Sequence, residues 1–255
     1  MRCPFCGYTK SWVLADGRRR CARCRRDWRP ERMPLRLNAA QWRLVLRWFV
    51  RGMSSAQIAH ETRLDRKRVL RALLVVRRRM RALIPPELLA ALLHEEDDGT
   101  EPPPTRSPVL AIYASESEFW ADVVPENMVL RVARAVRERG PEGLDLPELA
   151  PYSAVVYRRR LYRLAESSDR RSSTHFGQVE SFWAYLQRQL RSKGGIRRSR
   201  LDLYLAEYAW RYNHRKLSPE QQVRALMQLV RRPLRGGRNG AFPVLAGPSP
   251  RHATH

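Results

Sequence analysis

All four cysteines of this 255-residue chain stand within its first 24 positions, as Cys3-x2-Cys6 and Cys21-x2-Cys24. A Cys-x2-Cys turn presents two thiolates to one point, and two such turns complete a tetrahedron around zinc. Residues 1–34 are therefore expected to form a zinc ribbon, with Cys3, Cys6, Cys21 and Cys24 holding a structural Zn2+ ion. Two disulfides are the competing reading, but the opening residues carry no secretory signal toward an oxidising compartment. Arg18, Arg19, Arg20, Arg23, Arg25 and Arg26 crowd the second pair. A fold organised by metal tolerates that density of charge, because it does not rely on a hydrophobic core.

The formal charge of +24 is unevenly distributed. Lys and Arg outnumber Asp and Glu by 23 to 5 over residues 1–84 and by 21 to 6 over 157–255, whereas acids lead by 14 to 5 in between. With 43% apolar residues, the chain is expected to fold and to meet a polyanion. No run of about 18 apolar residues suggests a membrane span. DNA or RNA is the partner that charge favours, the helix pair that follows selects double-stranded DNA, and the expected location is the cytoplasm, at the nucleoid.

Residues 35–84 have the pattern of a helix-turn-helix domain. Asn38 precedes a helix with Trp42, Val45, Leu46, Phe49 and Val50 at helical spacing, and Gly52 follows it. Ser54 and Gln57 read as a capping box for a short second helix. After a turn at Arg63-Leu64-Asp65, Asp65 caps a third helix expected to bury Val69, Leu70, Leu73, Leu74 and Val76. Arg66, Lys67, Arg68 and Arg71 stand near its start, where a recognition helix meets base edges and phosphates. Arg77 and Arg78 are expected at phosphates.

Pro85-Pro86 ends this helix, Glu87 to Leu93 suit one more short turn, and residues 85–106 as a whole read as an acidic, proline-rich linker. Beyond it, Val109–Tyr113 and Glu118–Val124 suit a β-hairpin, Asn127–Arg139 a helix, Leu144–Leu146 a short strand and Val155–Leu164 another helix. His175–Leu190 and Leu201–Arg215 read as two helices packed on that sheet. Trp183 and Trp210 fall on apolar stripes and read as core. His175 and His214 read as structural or phosphate-facing. The Gly-, Pro- and Arg-rich tail, 231–255, is expected to be disordered.

With its Cys-x2-Cys pairs, its helix-turn-helix pattern, Gln178-Val179-Glu180-Ser181-Phe182-Trp183, Tyr204-Leu205-Ala206-Glu207-Tyr208 and Trp210-Arg211-Tyr212-Asn213-His214-Arg215, the chain resembles insertion-sequence transposases of the DDE type with an N-terminal zinc ribbon, the ISXO-like group. The resemblance implies a multidomain α+β architecture in which residues 107–230 form a small, truncated RNase H-like domain with C-terminal helices. It also implies an oligomer acting on element ends by two-metal cleavage and strand transfer with Mg2+ or Mn2+. Glu180 matches the family's helix acid, and Asp145 is the candidate second aspartate. Arg211 and Arg215 are candidate DNA contacts within the last block. No aspartate opens the first strand, for which Glu116, Glu118 and Asp122 are the nearby substitutes; Gly177 and Gln187 stand where the family implies Asn and Lys. Two functions follow as alternatives, an active transposase and a transposase-derived DNA-binding protein without catalysis.

Overall fold

The structure, a computed structural model, describes residues 2–16, 18–28, 33–93, 107–139, 143–165, 172–192 and 196–231, with side chains of the 172–192 helix from Phe176 onward. The acidic stretch 94–106, residues 140–142 and those after 231 lie outside them. The described residues form a mixed α+β protein with two small sheets. No helix among them is long and apolar enough to cross a membrane.

Strands β1 (Ser11–Val13), β2 (Arg19–Cys21) and β3 (Asp27–Trp28) make an antiparallel sheet in the order β1-β2-β3 beside the cysteines. Helices α1 (Ala39–Val50), α2 (Ser55–Thr62) and α3 (Arg66–Arg81) follow, each started by the side chain expected from sequence. Asn38 Oδ1 accepts from the Gln41 N–H at 2.8 Å while Gln41 Oε1 accepts from the Asn38 N–H at 3.0 Å. Ser54 and Gln57 exchange the same pair of bonds, and Asp65 accepts from the Arg68 N–H at 3.1 Å. These bonds satisfy amide groups that a helix start leaves without partners. Arg63, left-handed at φ 52°, turns the chain from α2 to α3. Helix α4 (Pro86–Ala91) begins at the proline that follows α3, because Pro lacks only an amide the first turn does not use.

Strands β4 (Leu110–Ala114) and β5 (Phe119–Val123) form the expected hairpin, and α5 (Glu126–Glu138) the expected helix. The helix expected over Val155–Leu164 is instead a hairpin of β6 (Ala154–Tyr157) and β7 (Arg160–Arg163). Its two-residue turn, Arg158-Arg159, has φ values of 46° and 66°, the doubly left-handed turn usually written with Asn and Gly. Two arginines hide that signal. The sheet order is β5-β4-β6-β7, antiparallel at every named pairing. The strand expected at Leu144–Leu146 reduces to one parallel bridge, Leu144 to Leu164, at the free edge of β7. Gly143 permits it, because a Cβ there would lie 2.9 Å from the Arg163 carbonyl oxygen.

Helices α6 (Ser172–Ser192), α7 (Leu201–Asn213) and α8 (Pro219–Arg231) complete the described residues. Helix α7 packs on β5 and on α3, and α1 packs on α8. Six consecutive α7 residues, Leu205 to Trp210, are buried, as a helix enclosed on all sides requires. Phe119, Phe182, Tyr185 and Tyr212 join β5, α6 and α7 through ring centroids 4.9–5.3 Å apart. Buried apolar side chains from Leu37 to Val230 form one continuous cluster. The sequence boundary near 107 thus divides two stretches of chain that share a single core.

Candidate metal centre and nucleic-acid interface

The two cysteine turns have one hydrogen-bond plan. The Phe5 N–H donates to Cys3 Sγ at 3.4 Å, as the Arg23 N–H does to Cys21 Sγ at 3.3 Å. Gly7 returns its N–H to the Cys3 carbonyl at 3.0 Å and Arg25 to that of Cys21 at 3.1 Å, both with left-handed φ, 71° and 60°. The four Sγ atoms lie within 4.8 Å of one another, with Cys3–Cys24 at 3.7 Å and Cys6–Cys21 at 3.5 Å. A tetrahedral zinc with Zn–S bonds of about 2.3 Å sets its sulfurs about 3.8 Å apart, so the cluster fits that ion. Burial alone would raise the Cys21 thiol, but amide and thiol hydrogen bonds bring it down to about 6, while the Cys24 thiol, hydrogen-bonded to the other three, is pushed up to about 11. All four cysteines are free of disulfides.

On α3, Arg66, Lys67, Arg68, Arg71 and Arg78 are exposed. Leu70, expected in the core, is 46% exposed between them, because Lys67, Leu70, Arg71, Leu74 and Arg78 share the outward stripe. Val69, Ala72, Leu73 and Val76 face inward.

Arg77 and Arg211 lie elsewhere. Both hold the buried Glu207 carboxylate, Arg77 Nε at 2.7 Å and Arg211 Nε at 2.9 Å. Arg77 also stacks over Tyr204 at 4.2 Å. Arg211 donates to the Phe49 and Val50 carbonyls at 2.8 and 3.2 Å, satisfying the end of α1. Burial pushes the Glu207 carboxyl up, and Arg211 and Arg77 outweigh it, holding the group below the ordinary glutamate range. These two arginines join α3, α1 and α7 in the interior instead of standing on the surface.

The family-implied acids do not assemble into a comparable cluster. Asp145 is exposed just past the Leu144 bridge, and Glu180 is exposed on α6. Glu118 is exposed beside Trp120, whereas Asp122 is buried and faces Arg81 at 3.4 Å, which also pairs with Asp202 at 2.9 Å. Among the described residues, the four cysteines are the only group of three or more His, Cys, Asp or Glu side chains close enough to share an ion.

A cavity of about 510 Å³ opens between the β4–β5 turn, α6 and the end of α7, with Glu116, Gln178, Ser181, Asn213, Arg215 and Lys216 on its walls. Gln178 and Ser181 flank Glu180 in sequence. Arg215 Nη1 donates to the Tyr212 carbonyl at 2.7 Å and its guanidinium lies 3.9 Å from that ring, so it is fixed at the cavity wall. Asn213 braces β5 by accepting from the Phe119 N–H and donating to its carbonyl, both at 3.0 Å. His214 is structural, stacked 4.1 Å from Trp210. The burial of Glu207 carried one sequence signal, its position inside the apolar block Leu205-Ala206-Glu207-Tyr208-Ala209-Trp210. Asn213 and the cavity carried none that periodicity could reveal. No family model, curated protein or solved structure matches the chain.

Proposed function

We propose that this chain is a double-stranded DNA-binding protein on an insertion-sequence transposase plan, in which the ribbon's zinc is structural and α3 reads the duplex. The observation that carries the reading is the division of α3. Its apolar side is locked into the core, while Arg66, Lys67, Arg68 and Arg71 project from its first turns and Leu70 stands ready to meet a thymine methyl group. Such a helix binds phosphates through its cations and discriminates bases through the few side chains that reach the groove floor.

Of the two functions implied by the resemblance, binding without cleavage has the firmer support. The buried acids Asp122 and Glu207 face arginines, and Asp145 and Glu180 belong to no group of three metal-binding side chains among the described residues. Cleavage and strand transfer is the second reading, supported by the Gln178–Trp183 and Trp210–Arg215 blocks.

The test uses the full-length zinc-loaded protein on DNA flanking its own gene, with Mg2+ or Mn2+, beside Glu180→Gln. Binding is expected with a salt slope that falls by about one for each α3 cation removed, in Lys67→Ala and Arg71→Ala. Metal-dependent product absent from Glu180→Gln would make the protein an active transposase. Duplex affinity unchanged in the α3 variants would overturn the reading of α3.

A further inference from the structure

We infer that the ribbon carries a second nucleic-acid surface, one for single strands, formed by Phe5, Tyr8 and Trp12 among its arginines. These three are the only exposed Phe, Tyr or Trp side chains among the described residues, at 51%, 36% and 44% of full exposure. Every other described Phe, Tyr or Trp ring is at least partly covered, so exposure of these rings is concentrated where the fold depends on metal rather than on a core. Val13, at 61%, extends the apolar surface.

The setting of the rings selects the occupant. Arg26 lies over the Phe5 ring at 5.3 Å. Trp12 pairs across the strands with Arg20 and so shares its face of the sheet. Arg20 is held by two bonds to Asp27, at 2.6 and 2.9 Å. Arg2, Lys10, Arg18, Arg23, Arg25 and Arg26 are exposed in the same segment, Arg18 paired with Asp16 and Asp27. Across residues 1–28 eight Lys and Arg face two Asp, so a second copy of this ribbon would meet like charge, whereas a polyanion would be drawn in. A duplex hides its base faces in the stack, but an unpaired strand offers them to exposed rings while its phosphates meet the arginines. The surface therefore suits a single strand and works independently of α3.

The test measures fluorescence anisotropy of the full-length zinc-loaded protein with a labelled oligothymidylate of about 15 nucleotides and with a duplex of unrelated sequence. Phe5→Ala/Trp12→Ala is expected to weaken single-strand binding on the order of ten-fold and duplex binding much less. Phe5→Tyr/Trp12→Phe should retain it, since both keep a stacking face. Arg66→Ala/Lys67→Ala/Arg71→Ala should show the opposite selectivity. Zinc content measured on each variant separates loss of rings from loss of the ribbon. Unchanged single-strand affinity in the alanine variant, or equal loss on both probes, overturns the proposal. Dissociation of an oligomer with single-strand affinity intact also overturns it and makes the face a contact between copies.

Discussion

Arg77 of α3 and Glu207 of α7 lie 130 positions apart in sequence and 2.7 Å apart in space. With Arg211 on the other carboxylate oxygen, they place a charged triad where the three-helix segment meets the helix that supports the sheet. The same α3 that projects cations outward is anchored by a cation turned inward, so the orientation of its exposed stripe depends on Glu207.

Replacing Glu207 with Gln should therefore destabilise the whole protein. It leaves two guanidinium groups with little exposure and no compensating charge, a loss of about 3–5 kcal/mol, and the Tm should fall by roughly 10 °C. Because the folded carboxyl titrates below its unfolded value of about 4.3, its contribution is present above that pH and is lost as pH falls through the folded value. The variant should show a flatter acid limb in thermal melts. A Tm equal to wild type at neutral pH would refute the anchoring role.

Asp122→Asn should behave in the opposite way. Burial raises the Asp122 carboxyl, more than Arg81 and the Val123 amide lower it, and Oδ2 has no hydrogen-bond partner among the described residues. The folded state thus disfavours the ionised form, a penalty that grows as pH rises from about 3.9 through the raised folded value. Arg81 keeps Asp202 in the variant. The difference in Tm between variant and wild type should shift in the variant's favour as pH rises across that interval. A shift the other way would mean that the Arg81 pair outweighs desolvation.

Metal removal should act locally. The four cysteines lie outside the continuous apolar cluster, so chelation, or Cys21→Ser, should unfold the segment of β1–β3 while helical circular dichroism persists. Metal analysis of the intact protein should return one zinc per chain. Collapse of the helical signal on chelation would show that the core needs the cysteine cluster.

Asn213→Ala should open the outer edge of the sheet. Both Phe119 backbone groups lose their partner, at a cost of about 1–3 kcal/mol, and the Phe119 amide should exchange with solvent deuterium faster than those of β4. Unchanged exchange at Phe119 would assign the brace to the aromatic cluster instead.

Local chemistry was legible in the chain. The convergence of the four cysteines, the caps at Asn38, Ser54 and Asp65, and the β4–β5 hairpin are interactions among near neighbours, and the structure has each of them. The Arg158-Arg159 turn escaped because its residues are not those that favour left-handed backbone. Helix α8 went unread although Ser218 and Gln221 begin it with the same capping exchange seen at Ser54.

What the sequence by itself determined is where thiolates, caps and apolar stripes fall, because these follow from residue type and periods of two or 3.6. Only the tertiary structure decided which charges are free. Arg77 and Arg78 are adjacent and chemically identical, yet one holds a buried carboxylate and the other is exposed. The difference comes from the packing of α7 against α3, since burial and ion pairing belong to surfaces brought together from distant parts of the chain.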